Sequence, residues 1–320
     1  MRKNFFVTSL AARDSIRRNA NSEVLKLSPE AKKGFLRLNA ERKSAIRLLA
    51  RKQKRIILSA PKMATEKEKA YIKRFVESLK KSTGNTRIRI LWLDKNNYYA
   101  NIWQRDISVR LGKRILNKSR AEGFGLKTGK EQRFFADGGR LIQAGTSKGK
   151  KVLFISISPI NQIRTMAPIQ EKILREEMDM LRRRGYVVFE LPGFEYKALG
   201  RRLGEKAKGS FFEHLDVFIN TIPEKKLILV NPDYYKANLG KINQAADYLK
   251  YKIITVPESE KYTYPSNFLP LGNGEILIDK GARITASILK KNGVKVYEVP
   301  QEMKGNNQIF GGIRCFINED

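Results

Sequence analysis

Four times along this chain a short aliphatic run is followed by an amphipathic stretch and then by a second aliphatic run. No other feature restricts the fold as much. "RIILSAP", "TEKEKAYIKRFVESLKKS" and "RIRILWLD" (residues 55–94) form the first set, and "KVLFISIS", "PIQEKILREEMDMLRRRG" and "YVVFELP" the second. "KLILVN", "PDYYKANLGKINQAADYLK" and "KIITVP" form the third, and "EILID", "KGARITASILKKNG" and "VKVYEVP" the fourth. β-branched runs alternating with one helix each predict repeated strand–helix–strand units and an α/β fold. Gly185 and Gly293 fall where a helix should stop, and the prolines of "ELP", "TVP" and "EVP" mark the ends of returning strands. One doubly wound sheet is the default for such alternation. Repeated units can instead stack around a centre, which would bring the segment after each returning strand to one axis. The stretch 95–150 is less regular, and no glycine-rich phosphate loop follows any strand.

The residues before the first unit read differently. "SPEAKKGFLRLNAERKSAIRLLARKQKR" opens with Ser28 and Pro29, a plausible helix start. Phe35, Leu36, Ala40, Ile46, Leu48 and Leu49 supply the apolar side, and Lys and Arg crowd its end, where the helix dipole favours cations. Residues 1–54 are therefore expected to be a basic, helical N-terminal extension to a domain at 55–320. "FFVTSLAA" is short and interrupted for a secretory signal, while Arg and Ser in residues 1–22 fit an organellar transit peptide.

The net charge of +32 is unevenly spread: residues 1–160 carry +27 and residues 161–320 carry +5. So positive a half predicts contact with a nucleic acid or other polyanion, or else simply a solvated lysine-rich surface. No apolar run reaches 18 residues, so no membrane span is expected. Hydrophobic content of 41% excludes wholesale disorder. Cys315 is the only cysteine, which rules out an internal disulfide, fits a reducing, cytoplasmic setting and leaves the thiol free for chemistry. An organelle is the alternative if residues 1–22 are a transit peptide.

The unusual residues cluster after the returning strands. "NIWQRDISV" holds Trp103, Arg105 and Asp106; "FFEHLDVFIN" holds His214 and Asp216; "NNQIFGGIRCFINED" holds Cys315. "RFFADGGRLIQAG" places Asp137 before a glycine pair within the irregular stretch. His214 is the only histidine. A lone cysteine is ordinarily a small buried hydrophobe, and a lone histidine can equally be a core residue. Their matched positions turn the balance toward catalysis, since imidazole is the usual acid/base near neutral pH and thiolate a strong nucleophile. No metal-ligand spacing such as C-x-x-C or H-E-x-x-H occurs, so neither a metal nor another cofactor is expected.

In order along the chain, "WQRD", "ADGGRL", "HLD", "YPSNF" with "NGEILI", and "GGIRC" resemble the motifs of the pentein, or guanidine-modifying, superfamily. Agmatine deiminases, bacterial-type peptidylarginine deiminases and amidinotransferases are the members with the most similar motifs. The resemblance spans about residues 55–320. It implies a pentein α/β-propeller of five ββαβ-type units around a pseudo-fivefold axis. It also implies Cys315 as nucleophile, His214 as general acid/base and Asp137 orienting the imidazole. Asp106 and Asp216 would grip a guanidinium, with Trp103 and Arg105 in the same substrate-binding set. Asp137 stands where deiminases usually carry Glu, as in the amidinotransferase branch, and Arg314 resembles arginine deiminases more than agmatine deiminases.

A guanidinium is planar, cationic and resonance-stabilised, so its carbon is a poor electrophile. Paired carboxylates can hold it in plane, and the bound cation favours thiolate over thiol. The implied function is hydrolysis of arginine or an arginine derivative, as a deiminase. The alternatives are amidino transfer to an amine and a non-catalytic basic protein that binds RNA or a ribonucleoprotein. The overall charge disfavours a dication and favours free arginine or an arginyl peptide carrying a compensating anion.

Overall fold

The computed structural model describes residues 4–8, 41–52, 54–61, 65–93, 108–111, 114–117, 139–156, 167–195, 211–212, 214–299 and 312–319. Strand β1 is Asn4–Thr8, and residues 41–51 form helix α1. Then follow β2 (Arg55–Pro61), α2 (Glu66–Thr83) and β3 (Ile88–Leu93), with a separate hairpin of β4 (Ser108–Leu111) and β5 (Arg114–Asn117). The next unit is β6 (Leu141–Ser147), β7 (Lys150–Ile155), α3 (Ala167–Arg183) and β8 (Val187–Glu190). A short antiparallel pair, β9 (Phe194–Glu195) and β10 (Phe211–Phe212), precedes β11 (Ile219–Ile222) and β12 (Leu227–Val230). Helices α4 (Pro232–Ala237) and α5 (Leu239–Leu249) lead to β13 (Lys252–Thr255). The last unit is β14 (Leu269–Gly272), β15 (Glu275–Ile278), α6 (Arg283–Lys291) and β16 (Lys295–Glu298). The chain closes with a one-turn helix, α7 (Ile313–Phe316), and β17 (Ile317–Glu319).

Each predicted strand–helix–strand set forms, and its two strands pair in parallel: β2 with β3, β7 with β8, β12 with β13 and β15 with β16. They do not join into one doubly wound sheet. In three units an extra strand precedes the set and pairs antiparallel with its first strand, giving the orders β6-β7-β8, β11-β12-β13 and β14-β15-β16. The hairpin strand occupies the edge that a neighbouring parallel strand would need. In the first unit β1 and β17 take that edge, in the order β17-β1-β2-β3.

Local chemistry explains the boundaries. Thr65 and Glu68 form a reciprocal capping box at α2, and Gly84 ends the helix in the left-handed region. Asn273 and Gly274 both take positive φ between β14 and β15, as does Lys148–Gly149 between β6 and β7, giving two-residue turns that suit tight hairpins. The third set was expected to hold one helix. It breaks at Asn238, where Asn231 and Pro232 have already started a separate six-residue helix.

Adjacent units share their cores. Ile142, Val152 and Phe154 pack with Ile219, Ile228, Val230 and Ile242. Ile222, Leu229 and Ile254 pack with Phe268, Ile276 and Leu289. Leu269, Leu277 and Val299 pack with Ile56, Leu58, Phe75 and Leu79. Ala45, Ile46, Leu49 and Ala50 of α1 are buried in that same cluster, and β1 lies inside the first sheet, so these parts of residues 1–54 are built into the fold. Among the described residues no helix is long and apolar enough to cross a membrane.

Candidate functional site

Among the described residues, parts of three of the segments expected to carry chemistry lie at the starts and ends of these units, and hydrogen bonds tie them together. His214 sits with extended backbone just before a single 3-10 turn, Leu215–Val217, that delivers the chain into β11. Its imidazole is half-buried and rests against Gly139, the glycine that precedes β6. A Cβ at position 139 would lie 2.6 Å from both Cγ and Nδ1 of the ring, so only glycine permits this approach. The Asp216 backbone N–H donates to the Gly139 carbonyl at 3.3 Å, which fixes the two segments edge to edge. Asp216 itself is fully buried.

A second junction connects this pair to the C-terminal segment. Asn267, 2% exposed, ends the 3-10 turn Pro265–Asn267 before β14. Its Nδ2 donates to the Asp216 carbonyl at 3.2 Å, and its Oδ1 accepts from the Arg314 backbone N–H at 3.0 Å. The two bonds span 51 and 47 positions of sequence. A carboxamide is the only kind of uncharged side chain that offers a carbonyl acceptor and an N–H donor on one planar group, and this junction uses both. Gly312 makes room for it, since a Cβ there would fall 2.6 Å from Asn267 Oδ1.

Arg314 is buried, and its Nη1 donates to Asn220 Oδ1 at 2.7 Å. Asn220 is held in turn: its Nδ2 donates to the Ser266 carbonyl at 3.1 Å, and its Oδ1 also accepts from the Thr221 backbone N–H at 2.9 Å. Arg140, fully buried beside Gly139, accepts at its carbonyl from the Ser156 N–H at 3.0 Å, joining the end of β7 to the same place. The Gly139–Arg140, His214–Asp216, Ser266–Asn267 and Gly312–Arg314 segments thus form one bonded cluster.

Of the expected site residues, His214 and Asp216 fall within this cluster. Cys315 is the residue after Arg314, within α7, so its backbone is one position from the Asn267 bridge. Trp103, Arg105, Asp106 and Asp137 lie outside the described residues. Among the described residues no group of three or more His, Cys, Asp or Glu side chains could hold a metal ion. Asn267, Asn220, Gly139 and Gly312 were not singled out from the sequence. The available signals were the glycine pairs of "DGG" and "FGG", which mark close backbone approach, and the polar residues bordered by apolar ones in "YPSNF".

No family sequence model matches the chain, and no curated protein matches it by sequence. Solved structures do match. A dimethylarginine dimethylaminohydrolase variant, in adduct with S-methyl-L-thiocitrulline, superposes with a TM-score of 0.57 over 100% of both chains at 13% identity. A structural-genomics target assigned as an agmatine deiminase gives 0.57 at 12% identity, covering 100% of this chain and 93% of its own. An amidinotransferase of saxitoxin biosynthesis from Microseira wollei gives 0.51 at 12% identity over 98% and 93%. The fold is mixed α/β and is shared with the guanidine-modifying enzymes of the pentein superfamily.

Proposed function

We propose that the chain is a cysteine-dependent enzyme acting on the guanidinium group of arginine or an arginine derivative, with hydrolysis as its reaction. The observation that carries this reading is the Asn267 bridge, which ties the backbone one residue before Cys315 to the segment holding His214. The residue that carries the chain's only thiol thus follows, by one position, a backbone bonded to the segment of its only histidine, in a fold shared with guanidine-modifying enzymes. The same reading takes the four described units and the β4–β5 hairpin as parts of five ββαβ-type units around a pseudo-fivefold axis.

The substrate cation would be held in plane by Asp106 and Asp216, with Trp103 and Arg105 lining the same part of the site. Its charge favours the Cys315 thiolate. The sulfur adds to the guanidinium carbon, forming a C–S bond, and His214 gives its proton to the departing nitrogen as the C–N bond breaks. An amidino-thioether remains on Cys315. The imidazole, oriented by Asp137, then takes a proton from water, and the resulting hydroxide adds to the same carbon. Cleavage of the C–S bond returns the thiolate and leaves a ureido product; with free arginine the products are citrulline and ammonia.

An amine in place of that water gives amidino transfer from the same intermediate. The likeness to the saxitoxin-pathway enzyme favours keeping this as a second reading. Arginine, agmatine, methylated arginines and an arginyl peptide, each with and without glycine as acceptor, separate the two by product mass. A ureido product without acceptor supports hydrolysis; product only with glycine supports transfer. No product in any arm contradicts both.

A further inference from the structure

We infer that Asn267 is a positioning residue for this reaction, setting the spacing between the imidazole-bearing segment and the cysteine-bearing helix. The inference rests on the functional reading above and adds to it a residue that neither adds to the substrate nor moves a proton. Three observations meet at this side chain. It is buried, so water cannot substitute for its partners. Its donor and acceptor are both used, one on each of the two segments. The backbone at Gly312 comes so close that any side chain there would push the carboxamide away.

Asn267 joins α7 to the His214-bearing segment at Asp216, and Arg314 joins it four positions further along, at Asn220. The Leu215–Val217 turn reaches α7 through Asn267, whereas the Arg314 guanidinium goes sideways to Asn220 on β11. A shift of the carboxamide therefore moves residue 314, and with it the Cys315 backbone, relative to Asp216 and His214. Turnover is sensitive to such a shift: a displacement of about 1 Å costs on the order of a hundredfold.

Asn267→Asp provides a reversible test. An ionised carboxylate keeps the acceptor for the Arg314 N–H but loses the donor to the Asp216 carbonyl. A protonated carboxyl group has one acceptor and one donor and restores both bonds. Among the described residues, the titratable and charged residues on the segments bonded to it or to its partners are Arg140, His214, Asp216, Arg314 and Cys315, all of which the wild type shares, so the variant-to-wild-type ratio isolates residue 267. The ratio is measured from pH 5 to 8, with folding of both proteins checked by circular dichroism at each pH. At neutral pH kcat should fall about a hundredfold with KM little changed. The ratio should then climb as the pH drops and the carboxyl group takes up its proton. A low ratio that stays flat with pH in folded protein, or a wild-type kcat in folded Asn267→Leu, which can make neither bond at any pH, overturns the proposal.

The rate of Cys315 alkylation by iodoacetamide, followed by mass, gives a second readout that needs no substrate. Because the chain has one thiol, the signal is unambiguous. A pH-dependent difference between variant and wild type supports the positioning role even if no guanidine compound is turned over, the outcome that would instead remove the functional reading. Identical alkylation profiles alongside normal turnover by folded Asn267→Leu remove the positioning role alone.

Discussion

Gly139 lies so close to the imidazole of His214 that the first carbon of any side chain at 139 would stand 2.6 Å from both Cγ and Nδ1. The backbone at Gly139 is not in the left-handed region, so the glycine is required by the neighbouring ring and not by its own φ. Gly139→Ala should therefore displace His214 while leaving the local chain unstrained. The expected result is a loss of turnover of about a hundredfold with a folded protein, measured as kcat beside the circular dichroism spectrum. Unchanged kcat would mean that the ring can move aside at no cost to the chemistry.

Glu260 offers a test of the scaffold away from the site. Its Oε1 accepts from the Ile284 N–H at 2.6 Å, and its Oε2 accepts from the Thr285 N–H and hydroxyl at 2.8 and 2.7 Å. The carboxylate is buried at the first turn of α6, where the helix dipole favours a negative charge. Glu260→Gln replaces one acceptor by an N–H group facing donors. It should cost about 1–3 kcal/mol in denaturant unfolding, with little effect on the reaction.

Ser266 and Ser156 carry buried hydroxyls without a hydrogen-bond partner among the described residues. Ser266→Ala removes that hydroxyl without touching the Asn267 carboxamide or the Ser266 carbonyl that Asn220 uses. Stability should rise by about 1 kcal/mol, read as a higher midpoint in urea. A lower midpoint would reveal a partner for the hydroxyl.

Acid sensitivity has a local source in the last unit. The Lys295 ammonium, 2.9 Å from Glu275, hydrogen-bonds its carboxylate and holds the pKa below the ordinary value. A carboxyl group depressed in the folded state contributes stability above its unfolded pKa, about 4.3 for Glu, and that stability is lost as pH falls through the lower folded value. Glu275→Gln should thus melt slightly below the wild type at pH 7, with the gap closing below about pH 4. The effect is small because Lys295 stands largely in water. A gap that widens on acidification would contradict this assignment.

The four strand–helix–strand sets were legible because each buried strand is a continuous aliphatic run and each helix carries its own cap or stop, as at Thr65, Gly84, Gly185 and Gly293. The antiparallel strands β6 and β14 were not marked as such. "LIQAGTS" and "LPLG" are broken by glycine and proline, and their pairing depends on two-residue turns, of which Asn273–Gly274 was the readable one. In α1, Ile46 and Leu49 were legible as an apolar side and Arg47 and Arg51 as a solvent-facing basic side, but nothing local named the cluster they enter, which is built from β2, α2 and the last unit. His214, Asp216 and Cys315 stood out as rare or charged residues in short post-strand segments. Asn267 did not, because an asparagine gains significance only when two backbone groups from distant segments converge on it.

The most direct test of the central claim is the rate at which Cys315→Ala turns over whichever guanidine compound the wild type converts. The account predicts a folded variant with no detectable product. Product formed by that variant at the wild-type rate would contradict the account, since no other thiol exists in the chain to carry the covalent step.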